Sequence, residues 1–405
     1  MRIAYLFHDH LPTASTNGEQ LVNSLAMLAR QGMEIDLIVP SPPGKTRPLA
    51  ERRAAITAFY GLPGDTFDRG LNLVELALPD WIGGNARRAT VACRASLRLR
   101  DAGYDLVYVR DLFPLATAVA MARTPVVFET YRTDVNTRRA YGPWRAFCYR
   151  RGKIVGVLTH SRLAARRFLE AGFRSEEVLV AHNGFSPGVM GPPLTTGEAR
   201  ARLGLPADRT FVVYTGQVNP SKGIEAVVEI ARRLPAITFL VVGAVPGSPG
   251  ETWAHRIIAD AGVGNVQLVP RVPPTQVPLY LYAADCLVIP PTAKPLEDFG
   301  RTVLPIKTYL YLAAGRPIIA GDLPDVGEVL VDRHNALLVP PDDPEAAAAA
   351  VTEALGDPRL REHLAATARQ DAQQYTWESR AVRIAAFLRE RLAAFNRRRG
   401  GRAAP

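Results

Sequence analysis

The chain has 405 residues, room for two domains of ordinary size, with a charged fraction of 22% and an apolar fraction of 47%, as in water-soluble globular proteins. No apolar run reaches the roughly 20 residues that a membrane-spanning helix needs, and the opening Met1-Arg2-Ile3-Ala4-Tyr5 reads as a strand and not as a signal peptide. The net charge of +10 suits an anionic partner, but no helix-turn-helix, zinc-finger or RNA-recognition pattern accompanies it, so nucleic acid is not expected. Cys93, Cys148 and Cys286 lack metal-type spacing and read as buried thiols in a reducing, cytoplasmic compartment.

In chain order, short apolar runs alternate with helical stretches. The first half predicts strands over 3–7, 35–39, 73–78, 106–109, 126–129, 154–159 and 178–180. Between the first two, Leu21, Val22, Leu25 and Leu28 recur at helical spacing until Gly32 ends the helix. Segment 138–153 interleaves Arg138, Arg139, Arg145, Arg150, Arg151 and Lys153 with Tyr141, Trp144, Phe147 and Tyr149. A helix lying on anionic lipid needs that mixture, and so does a solvated basic face with its aromatic side chains in the core. The breaker-rich stretch 187–197 reads as a linker. After it the alternation restarts, with strands predicted over 211–214, 239–242, 266–269, 286–289, 317–319 and 337–339. From about residue 357 to 396 the chain reads as helical.

Strand–helix alternation in two halves predicts an α/β protein with two Rossmann-like, doubly wound domains. The expected division is residues 1–186, the 187–197 linker, 198–374, and a C-terminal helix with a basic tail over 375–405, packing back on the first domain. Ligands of such sheets bind beyond the carboxyl ends of the strands, which makes the cleft between two facing domains the expected site. The spacing of Gly243, Gly247 and Gly250 does not match G-x-G-x-x-G, so a dinucleotide fingerprint is absent.

The most telling loop is Tyr214-Thr215-Gly216-Gln217-Val218-Asn219-Pro220-Ser221-Lys222-Gly223-Ile224. It joins a buried strand to a helix, and the first turn of a helix presents unpaired backbone N–H groups. Lys222 adds a full charge there, which suits a phosphate or diphosphate; the competing reading is an ordinary turn with a solvated lysine. It is not a Walker A loop, because the lysine precedes the last glycine and no Ser or Thr follows to hold magnesium.

Together with Asn17-Gly18-Glu19, Tyr108-Val109-Arg110-Asp111, Val127-Phe128-Glu129-Thr130, His182-Asn183-Gly184, Tyr282-Ala283-Ala284-Asp285, Leu312-Ala313-Ala314-Gly315-Arg316-Pro317 and Leu337-Leu338-Val339-Pro340, this loop resembles the GT-B fold retaining glycosyltransferases of family 4. The resemblance implies sugar transfer from a nucleotide-diphosphate donor, held by the C-terminal domain, to a saccharide, lipid-linked or small-molecule acceptor on the N-terminal one. By the same resemblance, Lys222 and Lys307 neutralise the diphosphate, while Gly18, Gly216, Gln217 and Thr302 fall at donor-binding positions. Arg110, Glu129 and Tyr131 stand on the acceptor side, with Glu129 a candidate base or orienting group; the competing reading of Glu129 is a strand-end carboxylate paired to an arginine.

The chain departs from the family at three donor positions. Gln217 stands where the family has an arginine, and Thr302 and Leu310 stand where it has two glutamates. Each lost charge-assisted hydrogen bond is worth about 1.5–3 kcal/mol. These departures raise two alternatives to an active transferase: a degenerate partner protein of the same fold, and, more remotely, a nucleotide-sugar epimerase. The sequence has no Asp-x-Asp of the kind that holds a metal in the other glycosyltransferase fold. The expectation is therefore an enzyme needing neither metal nor cofactor, with peripheral contact to an anionic membrane as a further expectation.

Overall fold

A computed structural model describes residues 1–13, 15–42, 47–79, 81–82, 84–99, 103–294, 297 and 304–400. It contains two compact units: Met1–Asn183 together with the C-terminal segment from Trp377, and Gly184–Thr376.

The first unit is built on β1 (Arg2–Leu6), β2 (Glu34–Pro40), β3 (Leu71–Leu76), β4 (Leu106–Val109), β5 (Val126–Thr130), β6 (Ile154–Thr159) and β7 (Val178–Val180). They form one parallel sheet in the order β3-β2-β1-β4-β5-β6-β7. Successive side chains of β1 point to opposite faces, and both faces are covered. Ile3 and Tyr5 pack with Leu21, Leu25, Ile384 and Leu388, while Ala4 and Leu6 pack with Val107, Phe128 and Leu115. Burial on both faces explains why these strands read as nearly unbroken apolar runs. The predicted strand over 73–78 starts two residues earlier, because pairing with β2 runs from Ile35↔Leu71 to Pro40↔Leu76.

The second unit holds β8 (Phe211–Thr215), β9 (Thr238–Ala244), β10 (Val266–Pro270), β11 (Cys286–Val288), β12 (Ile318–Gly321) and β13 (Leu337–Val339). Its parallel order is β10-β9-β8-β11-β12-β13. The strand order therefore reverses between β1 and β4 in one sheet, and between β8 and β11 in the other. Chain connections leave in opposite directions at such switch points and open a crevice at the strands' carboxyl ends. Segment 187–197 is not a free linker. A short helix, Pro187–Met190, occupies part of it, Met190 packs in the second unit's core, and Thr195 caps the helix Thr196–Leu203 through a capping box with Glu198.

The helix Trp377–Gly400 belongs to the first unit. Its Ala381, Ile384, Ala385 and Leu388 share a cluster with Leu21, Val22 and Leu25 of the helix Thr16–Ala29. Gly156 in β6 makes room for it, since a Cβ there would lie 2.7 Å from the Phe387 ring. No helix among the described residues is long and apolar enough to cross a membrane.

Candidate functional site

In the second unit, the loop after β8 lies at the carboxyl end of the strand that borders the switch point. Gly216 donates its N–H to Val242 O at 2.9 Å and has φ +144°, a conformation that side chains resist. Gly243, at the end of β9, faces it so closely that a Cβ would sit 2.0 Å from Gly216 O. Neighbouring backbone thus fixes the loop. Tyr214 Oη donates to Gln217 O at 2.9 Å, and Thr215 N–H donates to Tyr311 Oη at 2.8 Å. Asn219 Oδ1 accepts from Ser221 N at 3.0 Å and from Ser221 Oγ at 2.7 Å, which shapes the single 3-10 turn Pro220–Lys222. Gly223 follows with φ +71° and opens the helix Ile224–Arg233. The space a Cβ on Gly223 would need is taken by Thr292 and Pro290, at 2.6 and 2.9 Å, so the loop after β11 abuts this turn.

Lys307 begins the helix Lys307–Ala314, and its Nζ stands 3.5 Å from the centre of the Tyr214 ring. A Cβ on Gly216 would come within 2.8 Å of that Nζ, so the glycine clears the lysine's path. Burial, and next the charge of Lys222, hold the Lys307 ammonium well below the usual lysine range. Lys222 itself is exposed. Two lysines are therefore brought together beside the Gly216 loop at a switch point, and among the described residues Lys307 makes no ion pair. Such a site favours a polyanion. The Gln217 side chain is exposed beside it. Thr302 lies outside the described residues, and Leu310 is half-buried against the second unit's core.

The carboxyl ends of the first sheet carry a separate polar cluster. Glu129 is 2% exposed, and its Oε1 accepts from Arg380 Nη2 at 2.6 Å and from Gln20 Nε2 at 2.8 Å. His160 Nε2 is 2.8 Å from the same oxygen, and Tyr108 Oη donates to Oε2 at 2.7 Å. Burial alone raises a carboxyl's pKa, but here Arg380, the His160 hydrogen bond and Arg110 win, and the Glu129 carboxyl sits well below the usual range. Burial pushes His160 down to about 4, so it is a neutral ring at physiological pH. With both oxygens held by buried partners, Glu129 has the contacts of the competing expectation, a strand-end carboxylate paired to an arginine.

Gly18 opens the helix Thr16–Ala29 in a tightly packed setting. Its N–H donates to Ser15 Oγ at 3.1 Å as an ordinary helix cap, and the space on its Cα is filled by Thr13 Cγ2 (2.4 Å) and Tyr60 Oη (2.8 Å). The glycine is needed for internal packing. Arg110 is 8% exposed and lies 5.7 Å from the centre of the Tyr131 ring, which in turn stacks on His160 at 6.0 Å. His8, after β1, contacts Asp111 Oδ2 through Nδ1 at 2.5 Å and Asp9 through Nε2 at 3.3 Å. Burial opposes its charge, but the hydrogen bonds to Asp111 and Asp9 prevail and raise its pKa to about 9.

The role of Arg380 was not read from the sequence. Arg380 sits on the same helical face as Trp377, Ala381 and Ile384, and an arginine inside an apolar stripe was a legible sign of a buried partner. In segment 138–153, Trp144 packs near Phe128, Tyr149 packs against Phe173, and Arg132 covers Tyr141. Of these aromatic residues only Phe147 is exposed, with Arg151 4.4 Å over its ring. Cys148 and Cys286 are buried, whereas Cys93 is exposed, contrary to expectation.

The family model described as "Glycosyl transferases group 1" matches residues 195–371, and that described as "Glycosyltransferase Family 4" matches residues 19–188. A D-inositol 3-phosphate glycosyltransferase from Xylanimonas cellulosilytica is 30% identical over 378 residues, covering 88% of this chain and 87% of that protein. A protein of the same name from Jonesia denitrificans is 30% identical over 233 residues, 54% of this chain; as with several other such relatives, the chain spans about half its length, here 53%. Among solved structures, sucrose-phosphate synthase from Thermosynechococcus elongatus superposes with a TM-score of 0.77 at 18% identity, covering 97% of this chain and 99% of that one. The Anabaena protein HepE, solved in complex with UDP-glucose, superposes with a TM-score of 0.71 at 18% identity, covering 96% and 100%. These two likenesses concern the fold.

Proposed function

Because the chain belongs to the group 1 glycosyltransferases, we propose that it moves a sugar from a nucleotide-diphosphate donor to a saccharide, lipid-linked or metabolite acceptor. The observation that carries this reading is the convergence of Lys222 and Lys307 on the Gly216 loop. In the transfer, the acceptor oxygen bonds to the anomeric carbon as the bond from that carbon to the phosphate oxygen breaks. The acceptor's proton passes to the departing diphosphate, so no protein base is required, in keeping with the sequestration of Glu129. The two ammonium groups stabilise charge that grows on the leaving group. We take the reaction to retain the anomeric configuration and to proceed without a metal, the lysines supplying the positive charge. Gly216 and Gln217 line the diphosphate position in this scheme.

The names of the relatives support a transferase over an epimerase or an inactive partner. The UDP-glucose complex of HepE supports a uridine nucleotide as the first donor to try. The experiment is a thermal-shift and calorimetric titration with UDP, followed by transfer or slow hydrolysis of UDP-sugars. A melting temperature that millimolar UDP, GDP, ADP and TDP all leave unchanged sinks the proposal.

Peripheral membrane contact is a second reading, favoured by exposed Phe147 among exposed Arg138, Arg139, Arg150 and Arg151. Its location would then be the cytoplasmic membrane face. Loss of flotation with anionic vesicles at low salt in Phe147→Ala supports it, and absence of flotation in the wild type removes it.

A further inference from the structure

Arg110 carries buried polar atoms that its own neighbours do not satisfy. It follows β4 directly, at the switch point between β1 and β4 where a doubly wound sheet opens its crevice. The residue is more than nine-tenths buried, yet its Nε and Nη1 have no hydrogen-bond partner. Among the described residues it makes no ion pair. Each nearby carboxylate is instead bound elsewhere: Glu129 to Arg380 at 2.6 Å, and Asp111 to His8 at 2.5 Å. Its guanidinium lies over the Tyr131 ring, 5.7 Å from the ring centre.

Buried N–H groups are almost always satisfied, and a buried guanidinium left unpaired is costly. A guanidinium beside an aromatic ring, with two buried N–H-bearing nitrogens left unpaired, is suited to bind an oxyanion. A solvated surface arginine would not be desolvated, and a structural arginine would hydrogen-bond Glu129 or Asp111, as Arg380 and His8 do; Arg110 feels the Glu129 charge without bonding to it.

We propose that Arg110, with Tyr131 beneath it, binds an oxyanion of the acceptor, a phosphate monoester or a carboxylate, so that the preferred acceptor is anionic. The assignment of this anion to the acceptor rests on the glycosyltransferase reading above; the binding itself does not.

The test separates the two. The chain carrying Lys222→Ala and Lys307→Met lacks the two ammonium groups assigned to the donor diphosphate, and is titrated with inorganic phosphate in one arm and acetate in the other. Arg110→Gln in that background is expected to weaken whichever anion binds at least tenfold. Arg110→Lys, which keeps the charge and loses the fork, should fall between them and provides a folded control should the glutamine variant unfold. Binding of phosphate alone assigns a phosphate ester, and of acetate alone a carboxylate. Equal anion affinity with arginine, lysine and glutamine at position 110 overturns the proposal, as does no binding in either arm. Wild-type UDP binding is measured separately, so its absence would refute the donor reading and leave the anion result standing. If UDP-sugar transfer is found, paired neutral and anionic acceptors should differ at least tenfold in kcat/KM, and Arg110→Gln should erase that difference through KM. A preference for the neutral member in the wild type also overturns it.

Discussion

Arg380 donates a 2.6 Å hydrogen bond to Glu129, joining two buried side chains that are 251 positions apart in the chain. Arg380 also donates to Ser24 Oγ at 2.5 Å, so one guanidinium links the C-terminal helix, the helix Thr16–Ala29 and β5. Removing one member of a buried pair strands the other charge, at a cost of about 3–5 kcal/mol. Arg380→Ala should therefore lower the stability of the first unit by about that amount. Adding Glu129→Gln should restore part of it. Urea unfolding of the single and double variants measures the coupling, and strictly additive losses would contradict the pairing.

Lys307 offers a proton-linked signature of donor binding. Its ammonium is held well below the usual lysine range, and an arriving diphosphate favours the charged form. UDP binding should take up protons, and affinity should weaken as pH rises. Calorimetry in two buffers of different ionisation enthalpy reads the uptake, which Lys307→Met should abolish. Lys222→Ala should cost UDP roughly ten- to hundredfold in affinity while leaving the melting temperature of the free protein nearly unchanged.

Gly243 tests whether the donor loop is held by backbone contact. With φ +129° and Gly216 O 2.0 Å from a would-be Cβ, alanine cannot fit without moving the loop. Gly243→Ala should lower stability by about 1–3 kcal/mol and weaken UDP binding together. Gly64→Ala, where nothing lies within 4 Å, is the neutral control.

His8 sets a pH dependence of opposite sign to that of Glu129. Its pKa rises from 6.5 to about 9 on folding, so its contribution is complete below pH 6.5 and fades as pH climbs through 9. At about 1.36 kcal/mol per pKa unit, the loss is on the order of 3 kcal/mol. Glu129, depressed on folding, contributes above its unfolded pKa and loses that contribution as acid protonates it. Stability profiles of wild type and His8→Gln should converge on the alkaline side, and parallel curves there would disprove the assignment.

Much of this fold was legible because the central strands are buried on both faces and nearly all apolar, from Ile3 in β1 to Ile319 in β12. The Gly216–Gly223 loop was legible for a similar reason: its chemistry is local in sequence. What remained hidden depended on distant partners. Leu71 joins β3 only because Ile35 lies opposite. Gly243 was weighed by its spacing to other glycines, whereas its role is to let one backbone touch another. The packing around Gly18 was hidden for the same reason, since neither the Tyr60 hydroxyl nor the Thr13 methyl beside it can be inferred from residue 18.

The helix that begins at Trp377 completes a unit whose other elements all precede residue 184. A ribosome therefore finishes the middle of the protein before the beginning is whole. Until the final stretch emerges, Leu21, Leu25 and the Glu129 carboxylate have no lid, and the nascent chain carries an open greasy furrow with an acid at its floor. Emergence of this helix, more than that of the first sheet, is the step at which the first unit can close its core.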